Sequence, residues 1–317
     1  MIWGARPNRE KGANATMAKT RFRSDAGLTA RMSTVMLLLG ALYVAVVVGL
    51  ILAFPSSVAA ILVIALLFGV GQWYFSDKLA MFAMRAREVT PEQAPELHGM
   101  IDRLCALADM PKPRVAIADT DVPNAFATGR SPKNSVVCVT TGIMRRLDGE
   151  ELEGVLSHEL SHVAHRDVAV MTIAGFLGII AGLVMRWGMF FGGGGRNRDS
   201  NSAPVWLFVW LGSIVVYLIS FLLTRVLSRY RELCADRSGA YLTGKPSALA
   251  SALTKISGDM ARIPTRDLRQ EQAFNAFMFA PAINKESIGG LFSTHPSLDK
   301  RLEQLAKISA DLSRPSA

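Results

Sequence analysis

The residues most able to do chemistry in this 317-residue chain form the segment His158-Glu159-Leu160-Ser161-His162, which reads H-E-x-x-H. Two histidines four residues apart project from one face of a helix, so both imidazoles can reach one metal ion. Glu159 then lies beside the open coordination position, where a carboxylate can take a proton from bound water. The segment predicts a catalytic zinc site rather than a solvated helix surface.

A tetrahedral catalytic zinc needs a third protein ligand from elsewhere in the chain. The best candidate is Glu232, in a segment from 228 to 236 that reads as helical. Asp236 lies four residues further along the same face, where it could accept the outer N–H of a ligand histidine. An isolated acidic pair with this spacing would indicate only a polar surface; the missing ligand favours the metal interpretation.

The other histidines are weaker candidates. His165 points away from the face of His162 and is predicted to be structural. His98 is predicted to be a surface or capping residue. His295, in a late loop, is left open between an oxyanion-stabilising group and a solvated turn residue. Asp167 either orients the site or caps the next segment.

Secondary structure around the motif indicates a small α+β unit. The pattern predicts a helix over 91–110, with Leu97, Ile101, Leu104 and Leu107 on one face, and strands near 115–118, 124–129 and 136–139. A turn at 131–134 would join the last two strands as a hairpin. Asp148 fits a helix N-cap immediately before the metal motif. An exposed edge of such a sheet can bind an extended substrate by strand addition.

Long apolar blocks indicate a membrane protein, since each could supply about 20 apolar residues. We place spans at 32–54, 58–75, 168–185 and 204–224, with a glycine-rich loop between the last two. The last two blocks could instead be buried helices or a re-entrant hairpin, and we favour membrane helices. The first block is too long for a signal-peptide core, and a second span follows it at once.

The net charge of +9 reflects basic residues that flank the apolar blocks. No nucleic-acid-binding motif accompanies them, so we expect no nucleic-acid partner. The distribution of Lys and Arg puts residues 77–167 and 225–317 on the cytoplasmic side, where they can build one site. The three cysteines form no C-x-x-C pair, which argues against a cysteine-rich zinc site.

The predicted fold class is a mainly α membrane protein, with four transmembrane helices and a zincin-like α+β catalytic domain that carries a small β-sheet. Residues 1–31 are basic and predicted to be disordered. Two membrane helices follow in 32–76, and 77–167 is the first part of the protease domain. Two further membrane helices with the glycine-rich loop occupy 168–224, and 225–317 is the second part of the domain.

Taken together, these motifs resemble the HtpX-type membrane zinc metallopeptidases, a gluzincin-like group related to the CAAX prenyl proteases. The resemblance spans roughly residues 30–310 in the same order. The matching pieces are 123–129, 152–157 with the metal motif, 165–167, 228–236, and 294–296 with Arg301.

The resemblance implies one Zn²⁺ per chain, held by His158, His162 and Glu232, with Glu159 as general base. It implies that Asn124, Ala125 and Phe126 lie on a substrate-binding strand. His295 and Arg301 would line the site, with His295 stabilising the tetrahedral intermediate. The implied setting is the bacterial inner membrane, multi-pass, with a cytoplasmic active site that cleaves misfolded or damaged membrane proteins in quality control and the stress response.

Three alternatives remain. A site-2 type intramembrane protease would need an aspartate downstream of the motif within a span, and the Leu-Asp-Gly segment at 147–149 lies upstream. A membrane scaffold with a structural zinc would leave Glu159 without a purpose. A prenyl-protein protease agrees with the same motifs, although four spans and modest length favour the quality-control group.

Overall fold

A computed structural model describes residues 25–167, 170–171, 181, 203–260 and 296–314. The predicted disordered segment up to residue 24, most of the third apolar block, the glycine-rich loop and His295 lie outside these residues. The described part is mostly helical and carries one small sheet. Its elements are α1 (Ala26–Ala53), a 3-10 turn (Pro55–Ser57), α2 (Val58–Ala83), β1 (Ala86–Glu88), α3 (Pro95–Ala108), β2 (Arg114–Ala118), β3 (Ala125–Ser131), β4 (Asn134–Thr140), α4 (Thr141–Arg146), α5 (Gly149–His165), α6 (Ala203–Thr243), α7 (Pro246–Met260) and α8 (Leu298–Ser313).

Helices α1 and α6 carry long apolar segments whose side chains are largely exposed. Within the described residues, Ala26–Leu52 and Leu207–Thr243 are long and apolar enough to cross a membrane. The predicted break after the first block is present, because Phe54 ends α1 and a proline follows it. The apolar helical segment Pro55–Leu67, which combines the 3-10 turn with the start of α2, is shorter. Four transmembrane helices therefore remain a prediction.

Helix α6 is one continuous helix of 41 residues. The predicted fourth span and the predicted metal-ligand segment are therefore parts of the same element. At 1.5 Å per residue it extends about 60 Å, about twice the thickness of a bilayer core. Its second half can therefore enter the catalytic domain while its first half remains apolar and exposed.

The sheet has the strand order β1-β2-β4-β3. The predicted hairpin is present, since β3 and β4 are antiparallel and joined at 132–133. Gly129 has φ of 141°, and a Cβ there would lie 2.3 Å from the carbonyl oxygen of Asn134, so this bend requires glycine. β2 pairs with β4 in parallel, which the sequence reasoning did not predict.

The main hydrophobic core lies between the sheet, α3, α5, α7 and α8. Helix α5 begins as predicted at Asp148, whose carboxylate accepts the amide of Glu151 while the Glu151 carboxylate accepts the amide of Asp148. The predicted helix over 91–110 is confirmed with a later start, because residues 91–93 form a turn before Pro95. This core holds α5 rigidly, with the metal motif in its second half.

Candidate metal centre

Helices α5 and α6 approach closely at Gly239. A Cβ at this position would lie 2.8 Å from Ser157 Oγ and 3.1 Å from the backbone nitrogen of His158. A glycine is therefore what allows α6 to lie against the start of the metal motif. This packing carries Glu232, two turns earlier on α6, to the histidine face of α5.

The structure brings His158, His162 and Glu232 together. Nε2 of His158 lies 3.2 Å from Nε2 of His162 and 3.4 Å from Oε2 of Glu232. Nε2 of His162 lies 3.5 Å from Oε1 of Glu232. All three side chains are buried, and one ligand atom from each lies within 4.8 Å of the others. Three converging N and O donors match the protein ligands of a catalytic zinc site.

Behind His158 stands a carboxylate and then a guanidinium. Nδ1 of His158 lies 2.8 Å from Oδ1 of Asp236, which suits an N–H donor at Nδ1 and leaves the Nε2 lone pair for a metal. Arg301, on α8, donates to both oxygens of Asp236 at 2.7 Å. The predicted position of Asp236 thus agrees with the structure, while Arg301 contacts Asp236 from behind.

A parallel arrangement stands behind His162. Its Nδ1 lies 3.0 Å from Oδ2 of Asp167, so Asp167 faces the site rather than only capping the next segment. The Arg231 side chain is 12% exposed, and its Nε lies 3.9 Å from the same oxygen. Its terminal nitrogen donates to Oε1 of Glu232 at 3.1 Å. Sequence reasoning missed Arg231, although its position directly before the ligand candidate was a usable signal.

Glu159 is buried beside this cluster, and its Oε2 accepts the backbone N–H of Ala127 on β3 at 2.9 Å. This bond fixes the carboxylate between the metal motif and the sheet. Burial raises the pKa of Glu159, and the nearby histidines oppose that shift only partly. A carboxylate with a raised pKa is better matched to proton transfer near neutral pH.

Strand β3 is an edge of the described sheet, but the expectation of an exposed edge is wrong for residues 124–129. They are buried, because α2 and α5 both contact the strand. Asn124 pairs through its backbone with Thr140. Phe126 packs with Met84 and Cys138 in a separate apolar cluster.

A small cleft opens between the far end of β3 and the end of α5. Among its lining residues are Thr128, Arg130, His162 and Arg166. His162 forms part of its wall, so the cleft borders the candidate metal centre.

The remaining histidines separate into three cases. His98 is buried, with Nε2 placed 3.0 Å from the carbonyl oxygen of Val89, so its prediction as a surface residue is wrong. His165 has Nδ1 2.8 Å from the Ser161 carbonyl, in keeping with a structural role. His295 lies outside the described residues.

The charges of the site suit a divalent cation. Four carboxylates surround the cluster, and two guanidinium groups accompany them, so the formal charge is −2 when both histidines are neutral. The carboxylates are Glu159, Asp167, Glu232 and Asp236, and the guanidinium groups are Arg231 and Arg301. Buried charge must be compensated, and Zn²⁺ would supply the missing +2.

Without a metal, protons can supply the same compensation. Burial opposes protonation of His162, but the charge of Asp167 and the hydrogen bonds to Asp167 and Glu232 together outweigh it and raise the pKa of His162 to about 9. Burial likewise opposes protonation of His158, while its hydrogen bonds to Asp236 and Glu232 raise its pKa. Metal binding at this cluster must therefore displace protons.

Comparison with known proteins gives concordant matches. The model of peptidase family M48 matches residues 91–309. Protease HtpX homolog 1 of Streptomyces coelicolor is 57% identical over 300 residues, covering 94% of this chain and 98% of that protein. Protease HtpX homolog of Moorella thermoacetica is 55% identical over 293 residues, covering 91% and 97%.

One solved structure shares the fold. The crystal structure of S. mikatae Ste24p aligns with a TM-score of 0.51 and 17% identity. The alignment covers 87% of this chain but only 65% of the Ste24p chain, so this chain spans less than two thirds of that protein. At this identity the likeness concerns the fold alone.

Proposed function

This chain belongs to peptidase family M48, and on that premise we propose that it is a membrane-anchored zinc endopeptidase that cleaves misfolded or damaged membrane proteins. The family is zinc-dependent, and the chain is a metallopeptidase of the HtpX type. The observation that carries the proposal is the convergence of His158, His162 and Glu232 beside the buried carboxylate of Glu159.

We propose that His158, His162 and Glu232 hold one zinc ion per chain. When bound, the metal supplies Lewis acidity and lowers the pKa of its water to about 7. Asp236 and Asp167 hold the two imidazoles through their Nδ1 atoms, which keeps both Nε2 atoms directed at the same point.

Glu159 is proposed as the general base. It accepts a proton from the attacking water and passes it to the leaving amine. Its bond to the Ala127 amide keeps the carboxylate at a fixed distance from β3. A base tied to the strand that borders the cleft stays aligned with a peptide lying in that cleft.

The substrate main chain is proposed to lie beside the end of β3 that borders the cleft, near Thr128 and Arg130. Asn124 and Ala125 are buried at the other end of this strand and are proposed to hold β3 in position. Phe126 anchors this strand through its apolar contacts. His295 is proposed to stabilise the tetrahedral intermediate, as the family resemblance implies; it lies outside the described residues.

The proposed setting is a bacterial inner membrane, with several spans and a cytoplasmic active site. In support, Asp25 at the start of α1 contacts Tyr230, Cys234 and Arg237 on α6. The beginning of one candidate span and the site-bearing half of α6 are therefore on the same side. Basic residues such as Arg229 and Arg237 at this level favour the cytoplasm.

The test is cleavage of an unfolded model protein by the full chain purified in detergent with zinc. We expect Glu159→Gln to abolish cleavage and to leave bound zinc near one per chain. Glu150→Gln, an exposed position on the same helix, serves as the control and should retain activity.

Two outcomes would contradict the proposal. Cleavage by Glu159→Gln at the wild-type rate would exclude this general base. Zinc bound by both proteins with cleavage of neither the model protein nor a membrane-protein substrate would favour a scaffold with a structural metal.

A further inference from the structure

We propose that Arg231 makes Glu232 a one-oxygen ligand of the metal and so keeps a coordination position open for water. The inference rests on the proposed function, because it concerns how one ligand of that site is held. Arg231 acts through Glu232 and is therefore a positioning residue.

The two oxygens of Glu232 lie almost symmetrically in front of the histidines. Oε2 is 3.4 Å from His158 Nε2, and Oε1 is 3.5 Å from His162 Nε2. By position alone, both oxygens could coordinate the same ion. A carboxylate can bind a cation through one oxygen or through both. Knowing that Glu232 is a ligand therefore does not tell which of these two modes it uses.

Arg231 breaks this symmetry. Its terminal nitrogen donates to Oε1 of Glu232 at 3.1 Å. A hydrogen bond from a guanidinium to a carboxylate is charge-assisted and withdraws electron density from that oxygen. Oε1 is therefore the poorer donor to a metal, and Oε2 the better one.

The guanidinium is itself held in place. It is largely buried, and Oδ2 of Asp167 lies 3.9 Å from its Nε. Asp167 also contacts Nδ1 of His162. The Arg231 guanidinium therefore lies between Asp167, which orients His162, and the metal-ligand candidate Glu232. Moving this largely buried cation away from the two carboxylates would cost free energy, because it would leave buried charges unpaired.

The consequence concerns the coordination number. Two imidazoles and one carboxylate oxygen leave the fourth tetrahedral position for water, as hydrolysis requires. A second oxygen from Glu232 would compete with that water and donate further electron density to the metal, which would make the bound water less acidic. Arg231 would thus protect both the open position and the acidity of the bound water.

The experiment uses the full chain in detergent with Co²⁺ in place of Zn²⁺, because the visible absorption of Co²⁺ weakens as its coordination number rises. We expect a strong four-coordinate spectrum for wild type and a weaker one for Arg231→Gln. Arg231→Lys, which retains a cation near Oε1, should restore part of the four-coordinate spectrum.

Asp236→Asn is the matched control. It weakens the support of His158 and should lower zinc affinity, yet it should keep the four-coordinate spectrum, since Glu232 is untouched. A general loosening of the site would instead weaken the spectrum in both variants alike. An Arg231→Gln spectrum equal to that of wild type would overturn the inference.

X-ray absorption of the zinc-loaded wild-type chain tests the same point without relying on a folded variant. A zinc ion bound by four nitrogen and oxygen atoms would support the inference. A zinc ion bound by five such atoms, two of them from Glu232, would overturn it. Failure of the wild type to bind either metal would refute the proposed function itself, whereas binding with a chelating Glu232 would refute only the role of Arg231.

Discussion

The Asp236 carboxylate accepts a hydrogen bond from Nδ1 of His158 at 2.8 Å, across the interface between α6 and α5. The same helix that offers Glu232 to the metal therefore also fixes the ring of the first histidine. Arg301 completes the arrangement from α8. Three helices that are distant in sequence thus determine the orientation of one imidazole.

Asp236→Asn should lower zinc affinity by about 10–100-fold, because an amide supports the imidazole less strongly than a carboxylate. Competition with a chromogenic chelator measures the effect. Asp299→Asn, at an exposed position on α8, should leave affinity within about twofold, as expected for a surface change. Equal affinities for the two variants would show that the contact has no role in metal binding.

Removal of the metal should make stability depend on pH. The folded-state pKa of His162, about 9, exceeds its ordinary value of 6.5. The stability that protonation contributes is therefore present below pH 6.5 and is lost as the pH rises through about 9. Thermal unfolding of the metal-free chain in detergent should show a falling midpoint over this range, and the zinc-loaded chain should not.

Asp167→Asn provides the control for this pH effect. The charge of Asp167 is the main influence that raises the pKa of His162, so its removal should flatten the dependence of the midpoint on pH. A metal-free wild type that becomes more stable between pH 6.5 and 9 would contradict the assignment.

Gly239→Ala should destabilise the protein by about 1–3 kcal/mol, the usual range for an overpacked interface. The added methyl group would meet Ser157 and the backbone of His158, so zinc affinity should fall as well. Gly258→Ala on α7 has open space around its Cβ and should be neutral or stabilising by up to about 1 kcal/mol. Denaturant titration of both variants distinguishes crowding from a general effect of alanine.

Asp25→Ala should cost about 1–2 kcal/mol, because it removes the N-cap of α1 and the contacts with α6. Combined with Arg237→Met in a double-mutant cycle, it should show a coupling of about 0.5–3 kcal/mol. The readout is thermal unfolding in detergent. Strictly additive effects would mean that the two residues do not support each other across the helices.

The parts of the fold that the sequence predicted well depend on neighbouring residues. Asp148 caps α5 because its carboxylate reaches an amide three residues away, and the histidine spacing of the motif is likewise a property of one helix. The turn at 132–133 follows from local residues too. Each of these features is formed by residues a few positions apart, so a sequence pattern is sufficient to predict it.

The features that were missed depend on contacts between distant segments. Nothing local indicates that β2 runs parallel to β4, or that α2 covers the strand that was expected to be exposed. Arg231 looks like one more basic residue beside a membrane block, yet it faces two carboxylates. Its burial follows only from the way α6 packs onto α5.

His98 shows that the buried face of helix α3 was predicted partly wrongly. The predicted stripe of α3 included Leu107, which is 42% exposed, and left out His98, which is buried. The face that packs on the core is rotated toward His98, Cys105 and Ala108. Because an imidazole can donate to the backbone of Val89, a polar residue is tolerated there.

The wide spacing of the site along the chain also governs when proteolysis can begin. His158 and Asp236 are 78 residues apart, and Asp236 and Arg301 are a further 65 apart. A ribosome that has delivered α5 has made the metal motif without the segments that complete its surroundings. The three candidate ligands are therefore all present only after Glu232 has been synthesised, and the contact between Arg301 and Asp236 can form only later still.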